Sequence, residues 1–238
     1  MRVLVTRPLE DARETQDVLK ERGHDAIVAP LLKVNFHPGR AIDLSGYQAV
    51  LATSANGVRA LSVRTARRDL PLFAVGPQTA QTARDAGFTN VKSADGDAVA
   101  LANAVPVWTR ADKGPLLHAT GAAGEGRLAK LLADAGFEIH TEILYDVDAV
   151  DGLTPAVRDA LADNRIDAVL LYSPRSARIF AQSIIAAGLG AAAARLIGVC
   201  ISPTTAGALA PLAMREIRIA LEPNQAALLA CLDPGQTR

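Results

Sequence analysis

The sequence has little of several features that would assign it to a particular class of protein. Among its 238 residues are only two cysteines, Cys200 and Cys231, and they lack the spacing of metal ligands. A disulfide framework is therefore not expected, and a reducing cytoplasm is the natural compartment. No apolar run approaches the ~20 residues of a membrane-spanning helix, and residues 1–7 are too short and polar for a signal peptide. We expect no contact with a membrane.

Net charge and aromatic content are low as well. The chain has 25 basic and 25 acidic residues, and aromatic residues make up 4% of it. Proteins that bind nucleic acids usually carry a basic surface and aromatic rings that stack on bases. The composition therefore argues against a nucleic-acid partner.

Motifs for metal-dependent or nucleophilic catalysis are also missing. The four histidines, His24, His37, His118 and His140, are scattered without paired spacing, and no G-x-S-x-G turn occurs. A structural role is the favoured interpretation for them, and no metal site is expected. The glycine-rich stretch 121–127 matches neither nucleotide-binding fingerprint, so we interpret it as a turn where an anionic ligand can approach the backbone.

What the sequence does contain is an internal repeat. The matching pieces are residues 49–61 with 168–180, residues 75–80 with 201–206, and Leu4-Val5-Thr6 with residues 117–120. Matching pieces in one order, at slowly changing separations, are what a duplicated half-protein predicts. Two similar lobes usually place a ligand site between them, so we expect the site in a cleft.

Short apolar runs alternate with stretches of helical period, a pattern typical of βα units around parallel sheets. The predicted strands are Arg2 to Thr6, Asp25 to Ala29, Ala49 to Thr53, Leu72 to Val75, Pro115 to Ala119, Glu138 to Tyr145, Ala168 to Tyr172, Leu196 to Ile201 and Arg215 to Ala220. Helices over Leu9 to Gly23, Thr79 to Gly87 and Arg127 to Gly136 each end on a glycine that can take the left-handed conformation. We predict an α/β protein of two similar lobes, each a parallel sheet flanked by helices, joined by a two-strand linker.

The domain boundaries depend on two polar segments that contain Gly or Pro, residues 36–40 and 146–154. If both are linkers, residues 37–146 form an inserted α/β domain. Residues 1–36 and 147–238 then form one discontinuous α/β domain. A break near residues 108–114, which divides the chain into sequential copies, is the competing arrangement.

The turns after the predicted strands are rich in small hydroxyl residues. In open parallel sheets, ligands bind beyond the carboxyl ends of the strands, where helices begin with unpaired N–H groups. A helix cap explains any single turn, but six such turns together would suit carboxylates or phosphates. The candidate substrate-binding residues are Thr6, Arg7, Thr53, Ser54, Asn56, Thr79, Thr120, Gly121, Tyr172, Ser173, Arg175, Thr204 and Thr205.

Tyrosine is scarce, so the position of each tyrosine is informative. Tyr47 precedes a strand and is interpreted as a packing residue. For Tyr172, which ends a strand, packing and ligand contact both stay open. Tyr145 ends the strand that begins at Glu138, so we expect its phenol at the mouth between the lobes. A functional role and a purely structural hydrogen bond are both open for it.

Several short motifs occur together in one order and spacing. They are Val3 to Pro8, Thr53 to Asn56, Val75 to Ala80, Gly126-Arg127, Tyr145, Tyr172 to Pro174, and Ser202 to Ala206. In these motifs the chain resembles uroporphyrinogen-III synthase over nearly its full length. The resemblance implies two α/β lobes joined by a two-strand linker, with the first and last parts of the chain in one lobe. The chain departs from the family at Ser202, where a glycine often precedes Pro-Thr-Thr.

The resemblance also implies an activity in tetrapyrrole (haem) biosynthesis. It implies a lyase that cyclises the linear tetrapyrrole hydroxymethylbilane, with inversion of the last pyrrole ring and loss of water, and that needs no cofactor. It directs attention to Tyr145 as the catalytic residue and to Thr79 and Thr205. Our hypothesis is that Tyr145 hydrogen-bonds the departing hydroxyl, while neutral donors and an Arg at the rim, such as Arg7 or Arg175, hold the acetate and propionate arms.

The alternative is a non-catalytic, two-lobed binding protein for an anionic small molecule, similar in outline to periplasmic binding proteins. The missing export signal counts against it. The expected partner is the small-molecule substrate, and the protein is expected to be a monomer in the cytoplasm. A transient contact with the upstream deaminase stays open.

Overall fold

The computed structural model describes residues 1–124 and 126–233. The chain divides into two compact units. The first consists of Met1–Lys33 and Asp148–Arg238, and the second of Val34–Val147. In the described part of the chain, every helix is too short or too polar to cross a membrane.

The first unit is built on a parallel sheet. Its strands are β1 (Arg2–Val5), β2 (Asp25–Val28), β9 (Ala168–Leu171), β10 (Ile197–Cys200) and β11 (Glu216–Ile219), in the order β11-β10-β9-β1-β2. Each neighbouring pair is parallel. The helices are α1 (Leu9–Glu21), α6 (Pro155–Ala162), α7 (Pro174–Ala186), α8 (Gly190–Ala193), α9 (Pro203–Gly207) and α10 (Gln225–Ala230).

Helices cover both faces of this sheet. On one face, Leu4 and Val169 belong to a buried cluster with Phe180 of α7. On the other face, Val5 belongs to a cluster with Leu228 of α10. Strands β9 and β10 are buried at every position, as expected for inner parallel strands with both faces covered.

The second unit is built on a sheet of its own. Its strands are β3 (Leu32–Phe36), β4 (Ala49–Ala52), β5 (Leu72–Ala74), β6 (Val91–Ser93), β7 (Leu116–Gly121) and β8 (Ile139–Ala149), in the order β3-β8-β7-β4-β5-β6. The pairs from β8 to β6 are parallel. The helices are α2 (Ala55–Ser62), α3 (Pro77–Asp85), α4 (Ala98–Trp108) and α5 (Arg127–Asp134), and short 3₁₀ turns span Ala111–Lys113 and Ala122–Gly124.

Two buried clusters cover the faces of this second sheet as well. Val50 and Leu117 pack on the side of α2. Leu51 and Leu116 pack on the other side with Leu101 of α4. The prediction of an α/β protein with parallel sheets flanked by helices is confirmed.

Strands β3 and β8 carry the chain from one unit to the other, because both unit boundaries fall inside them. The backbone N–H of His37 donates to the carbonyl of Leu144 at 2.8 Å, and that of Val150 donates to Leu31 at 3.1 Å. The partner positions run in opposite directions along the two strands, so the pair is antiparallel.

The sequence prediction is wrong at three strands. It omits β3 and β6, and it ends a strand at Tyr145, although β8 continues to Ala149. In β3 the apolar residues Leu32, Val34 and Phe36 alternate with Lys33 and Asn35, which is the period of a half-buried strand, so the sequence carried a signal that the prediction missed. Strand β6 has only 3 residues and is too short to show a period. The last residues of β8 are extended because they lie beside β3, a tertiary contact that the local sequence does not reveal.

The repeat is visible in the turns around the strands. Ser54 and Ser173 are the N-caps of α2 and α7, and each side chain accepts the backbone N–H three residues on, at 3.0 and 3.1 Å. Gly23 and Gly136 follow α1 and α5 with φ of +74° and +86°. These left-handed glycines form the matching helix-to-strand turns that the sequence predicts.

Candidate active site

Most of the candidate residues lie at the chain-reversal point of each sheet, the place where the order of the strands changes direction. In the second unit this point lies between β4 and β7, because β5 and β6 continue to one side and β8 to the other. In the first unit it lies between β1 and β9. Ligands of open α/β sheets bind beyond the carboxyl ends of the strands at such points. Thr53, Ser54, Thr120 and Gly121 lie there in the second unit, and Thr6, Arg7, Tyr172 and Ser173 in the first.

Tyr145 lies on β8, beside β7, and its side chain is 9% exposed. Its hydroxyl is 2.7 Å from Ser54 Oγ, and either oxygen can be the donor. Ser54 Oγ also accepts the N–H of Gly57 at the start of α2. The phenol of Tyr145 is therefore held at the first turn of a helix, rather than at a strand end as the sequence suggests.

Gly121 leaves room for the ring of Tyr145. The ladder between β7 and β8 is irregular at Thr120 and Gly121, and Gly121 pairs with Tyr145. A Cβ atom on Gly121 would lie 2.6 Å from the Tyr145 ring carbon that carries the hydroxyl. The sequence interpretation was that this glycine lets a ligand approach the backbone. The structure gives a different reason, since the close neighbour is the tyrosine.

A polar cluster lies on the face of β7 that is turned away from α2. His118 is fully buried, and its Nε2 is 3.4 Å from Thr53 Oγ1. Burial lowers the pKa of His118 to about 4, so the imidazole is neutral near pH 7. Its Nδ1 has no hydrogen-bond partner among the described residues. Thr120 is 1% exposed, and its hydroxyl donates to the Gly121 carbonyl at 3.2 Å.

In the first unit, Arg7 is turned into the protein. Its side chain is 8% exposed, forms an ion pair with Asp11 at 3.4 Å and donates to Gln225. Its guanidinium also stacks over the ring of Tyr172, 4.4 Å from the centroid. The expected position of Arg7 at an exposed rim is therefore wrong, because the guanidinium is already occupied by internal partners. Thr6 is also buried, and its hydroxyl donates to the Leu170 carbonyl at 2.7 Å.

Tyr172 is largely enclosed. Burial is the main reason why the pKa of its phenol is raised. The hydroxyl has no hydrogen-bond partner of good geometry within the described residues, although Arg7 and Thr15 lie beside it. Packing is thus evident for Tyr172, while its contact with a ligand stays a prediction.

The remaining candidates lie in the first turns of helices. Asn56 accepts from Arg59 at 2.8 Å within α2. Thr79 is buried in α3, and its counterpart Thr205 is fully buried in α9, 3.0 Å from Ser202 Oγ. Thr204 and Arg175 are exposed in the first turns of α9 and α7. The described residues contain no group of three or more His, Cys, Asp or Glu side chains that could hold a metal ion.

Comparison with known proteins identifies the family. The family model HEM4, described as uroporphyrinogen-III synthase HemD, matches residues 13–230. The chain belongs to the uroporphyrinogen-III synthase family. A comparison with curated protein sequences gives no match.

Two solved structures share the fold. Uroporphyrinogen-III synthetase from Helicobacter pylori 26695 is 17% identical, covers 98% of this chain and 98% of its own, and has a TM-score of 0.60. A mutant uroporphyrinogen III synthase from the extremely thermophilic bacterium Thermus thermophilus is 16% identical, covers 98% of this chain and 96% of its own, and has a TM-score of 0.50. At these identities the likeness concerns the fold alone.

Family membership supplies the activity. Uroporphyrinogen-III synthases are lyases that cyclise hydroxymethylbilane without a cofactor. The chain is accordingly a lyase of porphyrin and haem biosynthesis, and the prediction drawn from its motifs is confirmed.

Two polar groups of the site, Ser202 and His118, are absent from the candidate residues predicted from the sequence, although Ser202 belongs to the motif Ser202 to Ala206. Ser202 caps α9 by accepting the N–H of Thr205 at 3.3 Å. His118 was interpreted as structural because it has no partner at metal-ligand spacing. The repeat offered a signal for it, since the strand that matches β7 carries only apolar residues in its interior.

The burial of His118 predicts a pH dependence of stability. Its pKa is about 4 in the folded protein and about 6.5 in an unfolded chain, so the unfolded state binds more protons between these values. The contribution of the neutral His118 ring to the free energy of unfolding is therefore fully present above pH 6.5 and is lost as the pH falls toward 4. As the pH is lowered from 6.5 to 4, the free energy of unfolding measured with urea should fall by roughly 3 kcal/mol less in His118→Phe than in the unchanged protein. Parallel curves of stability against pH for the two proteins would contradict a buried, neutral His118.

Proposed function

We propose that the strand-end turns of both units hold the carboxylates of hydroxymethylbilane while Tyr145 assists the departure of its hydroxyl. The observation that carries this proposal is the 2.7 Å contact between the Tyr145 hydroxyl and Ser54 at the chain-reversal point of the second sheet. This contact holds the phenol hydroxyl among helix-capping groups, where an anionic substrate is expected to bind.

The binding is proposed to rely mainly on neutral donors. A helix start leaves four N–H groups without an intrahelical partner, and the caps Ser54 and Ser173 each take one of them. The partial positive charge of these helix starts favours carboxylates. Arg7 is engaged by Asp11 and Gln225, so it supports the Tyr172 ring and does not serve as the main carboxylate ligand.

Tyr145 is proposed to act on the hydroxymethyl end of the substrate. Its hydroxyl donates a hydrogen bond and then its proton to the departing hydroxyl, which leaves as water. The pyrrole nitrogen of the same ring supplies the electron pair as the C–O bond breaks and releases its N–H proton, so that this ring becomes an azafulvene. Ser54 accepts from the Gly57 N–H, so its own proton is available for the phenol oxygen of Tyr145. This donation would stabilise negative charge that develops on the phenol. The last pyrrole ring then attacks the azafulvene carbon through its substituted carbon. The bond from that carbon to the preceding methylene bridge breaks, and the ring rejoins the bridge through its free α-carbon, which loses its proton, so the ring is inverted. The protein's main contribution is to hold the ring in the geometry for this attack.

The setting of the reaction is proposed as well. Cys200 and Cys231 are both free and buried, which suits a reducing cytoplasm. A monomer is sufficient for this mechanism. A transient contact with the upstream deaminase would shorten the exposure of a reactive substrate to water.

The direct test is a ring-closure assay. The purified protein is mixed with freshly made hydroxymethylbilane, and the oxidised porphyrin isomers are separated. We expect the type III isomer, because only an enzyme-held chain closes with an inverted last ring. The type I isomer alone, in the same proportion as without protein, would refute the proposal and favour a non-catalytic binding protein.

The role of the Tyr145 phenol is tested by Tyr145→Phe. Loss of the hydrogen bond to the leaving group should lower kcat by about a hundredfold while type III remains the product. Tyr47→Phe is the matched control, because the Tyr47 hydroxyl contacts only His140 at 3.0 Å among the described residues, and its activity should be unchanged. Full activity of Tyr145→Phe would show that the phenol has no chemical role, whereas a shift toward type I would show that it positions the substrate.

A further inference from the structure

His118 occupies a position where the other half of the repeat has valine. His118 lies opposite Leu51 in the pairing of β7 with β4, and Val5 lies opposite Leu170 in the pairing of β1 with β9. Leu51 and Leu170 correspond in the sequence repeat. Since Val5 is fully buried in an apolar cluster, this position of the fold needs no polar group.

A histidine at this position is costly to bury. His118 is fully buried, its pKa is lowered to about 4 by burial, and its Nδ1 has no partner among the described residues. Buried polar atoms without a hydrogen bond reduce stability, and such atoms therefore call for an explanation. The one side chain that the structure brings within hydrogen-bonding reach of the ring, among those described, is Thr53 at 3.4 Å.

The unpaired Nδ1 indicates which nitrogen carries the proton. A neutral imidazole has one N–H donor and one acceptor nitrogen. Buried N–H groups without a partner are rarer in proteins than buried acceptors without one. The proton is therefore expected on Nε2, which faces Thr53 Oγ1. In that tautomer Thr53 Oγ1 is the acceptor, and its own proton points elsewhere.

We propose that His118 is a positioning residue for substrate binding: it donates from Nε2 to Thr53 Oγ1, so that the Thr53 hydroxyl presents its proton to a carboxylate of the substrate. This proposal rests on the proposed function. It explains the difference between the two halves of the repeat, because the residue that matches Thr53 in the first unit is Tyr172, which stacks on Arg7. The first unit therefore has no threonine at this position for a histidine to orient.

The tautomer can be observed without any substrate. Imidazole ¹⁵N chemical shifts of labelled protein at pH 7.5 should show a neutral His118 with the proton on Nε2. His118→Gln provides the assignment by loss of these signals. A proton on Nδ1, or a charged ring, would overturn the proposal whatever the activity of the protein.

The effect on the substrate is tested by a set of variants in the ring-closure assay. His118→Phe keeps a ring of similar size without a donor, and KM should rise roughly tenfold while kcat changes less than about twofold. His118→Gln places an amide N–H near the position of Nε2 and should restore KM to within about threefold. His118→Asn is the control, because its amide is too short to reach Thr53.

A double variant of His118 and Thr53 distinguishes a positioning role of His118 from a packing role. Thr53→Val should raise KM as much as His118→Phe, and the double variant should be no worse than either single one. Equal losses in His118→Gln and His118→Phe, or additive losses in the double variant, would overturn the proposal. Absence of type III product with the unchanged protein would instead refute the proposed function, so the two failures are distinguishable.

Discussion

Parallel strand pairing is the constraint on which the rest of this structure depends. In each unit, parallel pairing brings the carboxyl ends of the strands to one edge of the sheet, where the following helices begin. Helix starts carry backbone N–H groups without intrahelical partners and the positive end of the helix dipole. The hydroxyl residues after β4, β9 and β10 satisfy part of this demand by capping. The same edge is consequently suited to carboxylates, and the duplication supplies it twice.

The two units share this fold but carry different residues at matching positions. The second unit combines Tyr145, Ser54 and His118 around its chain-reversal point. The matching point in the first unit is occupied by Arg7 and Tyr172, which stack on each other, and Arg7 also pairs with Asp11 and Gln225. A symmetric duplication would give two equivalent half-sites. Under the proposed function, leaving-group chemistry belongs to the second unit, and the first unit contributes to holding the substrate.

Much of this arrangement could be predicted from local sequence. The repeat, the inner strands and the caps Ser54 and Ser173 follow from short patterns that the structure reproduces. Strand β3 has the alternation of a half-buried strand and could have been predicted. The end of β8 could not, because it is extended through its pairing with β3. The inward position of Arg7 depends on Asp11, four residues along the chain, and on Gln225, which no local pattern connects to it. The partners of Tyr145 and His118 also come from distant parts of the chain.

The claim that the strand-end turns hold a polycarboxylate is tested most directly by NMR titration of ¹⁵N-labelled protein with the reaction product, uroporphyrinogen III, under reducing conditions. The account predicts that the largest amide shifts fall in the turns after β1, β4, β5, β7, β9 and β10, including Ser54 and Ser173. Amides at the opposite edge, such as those of Asp25 and Asp167, should not shift. The largest shifts at that opposite edge, with the strand-end turns unaffected, would contradict the account.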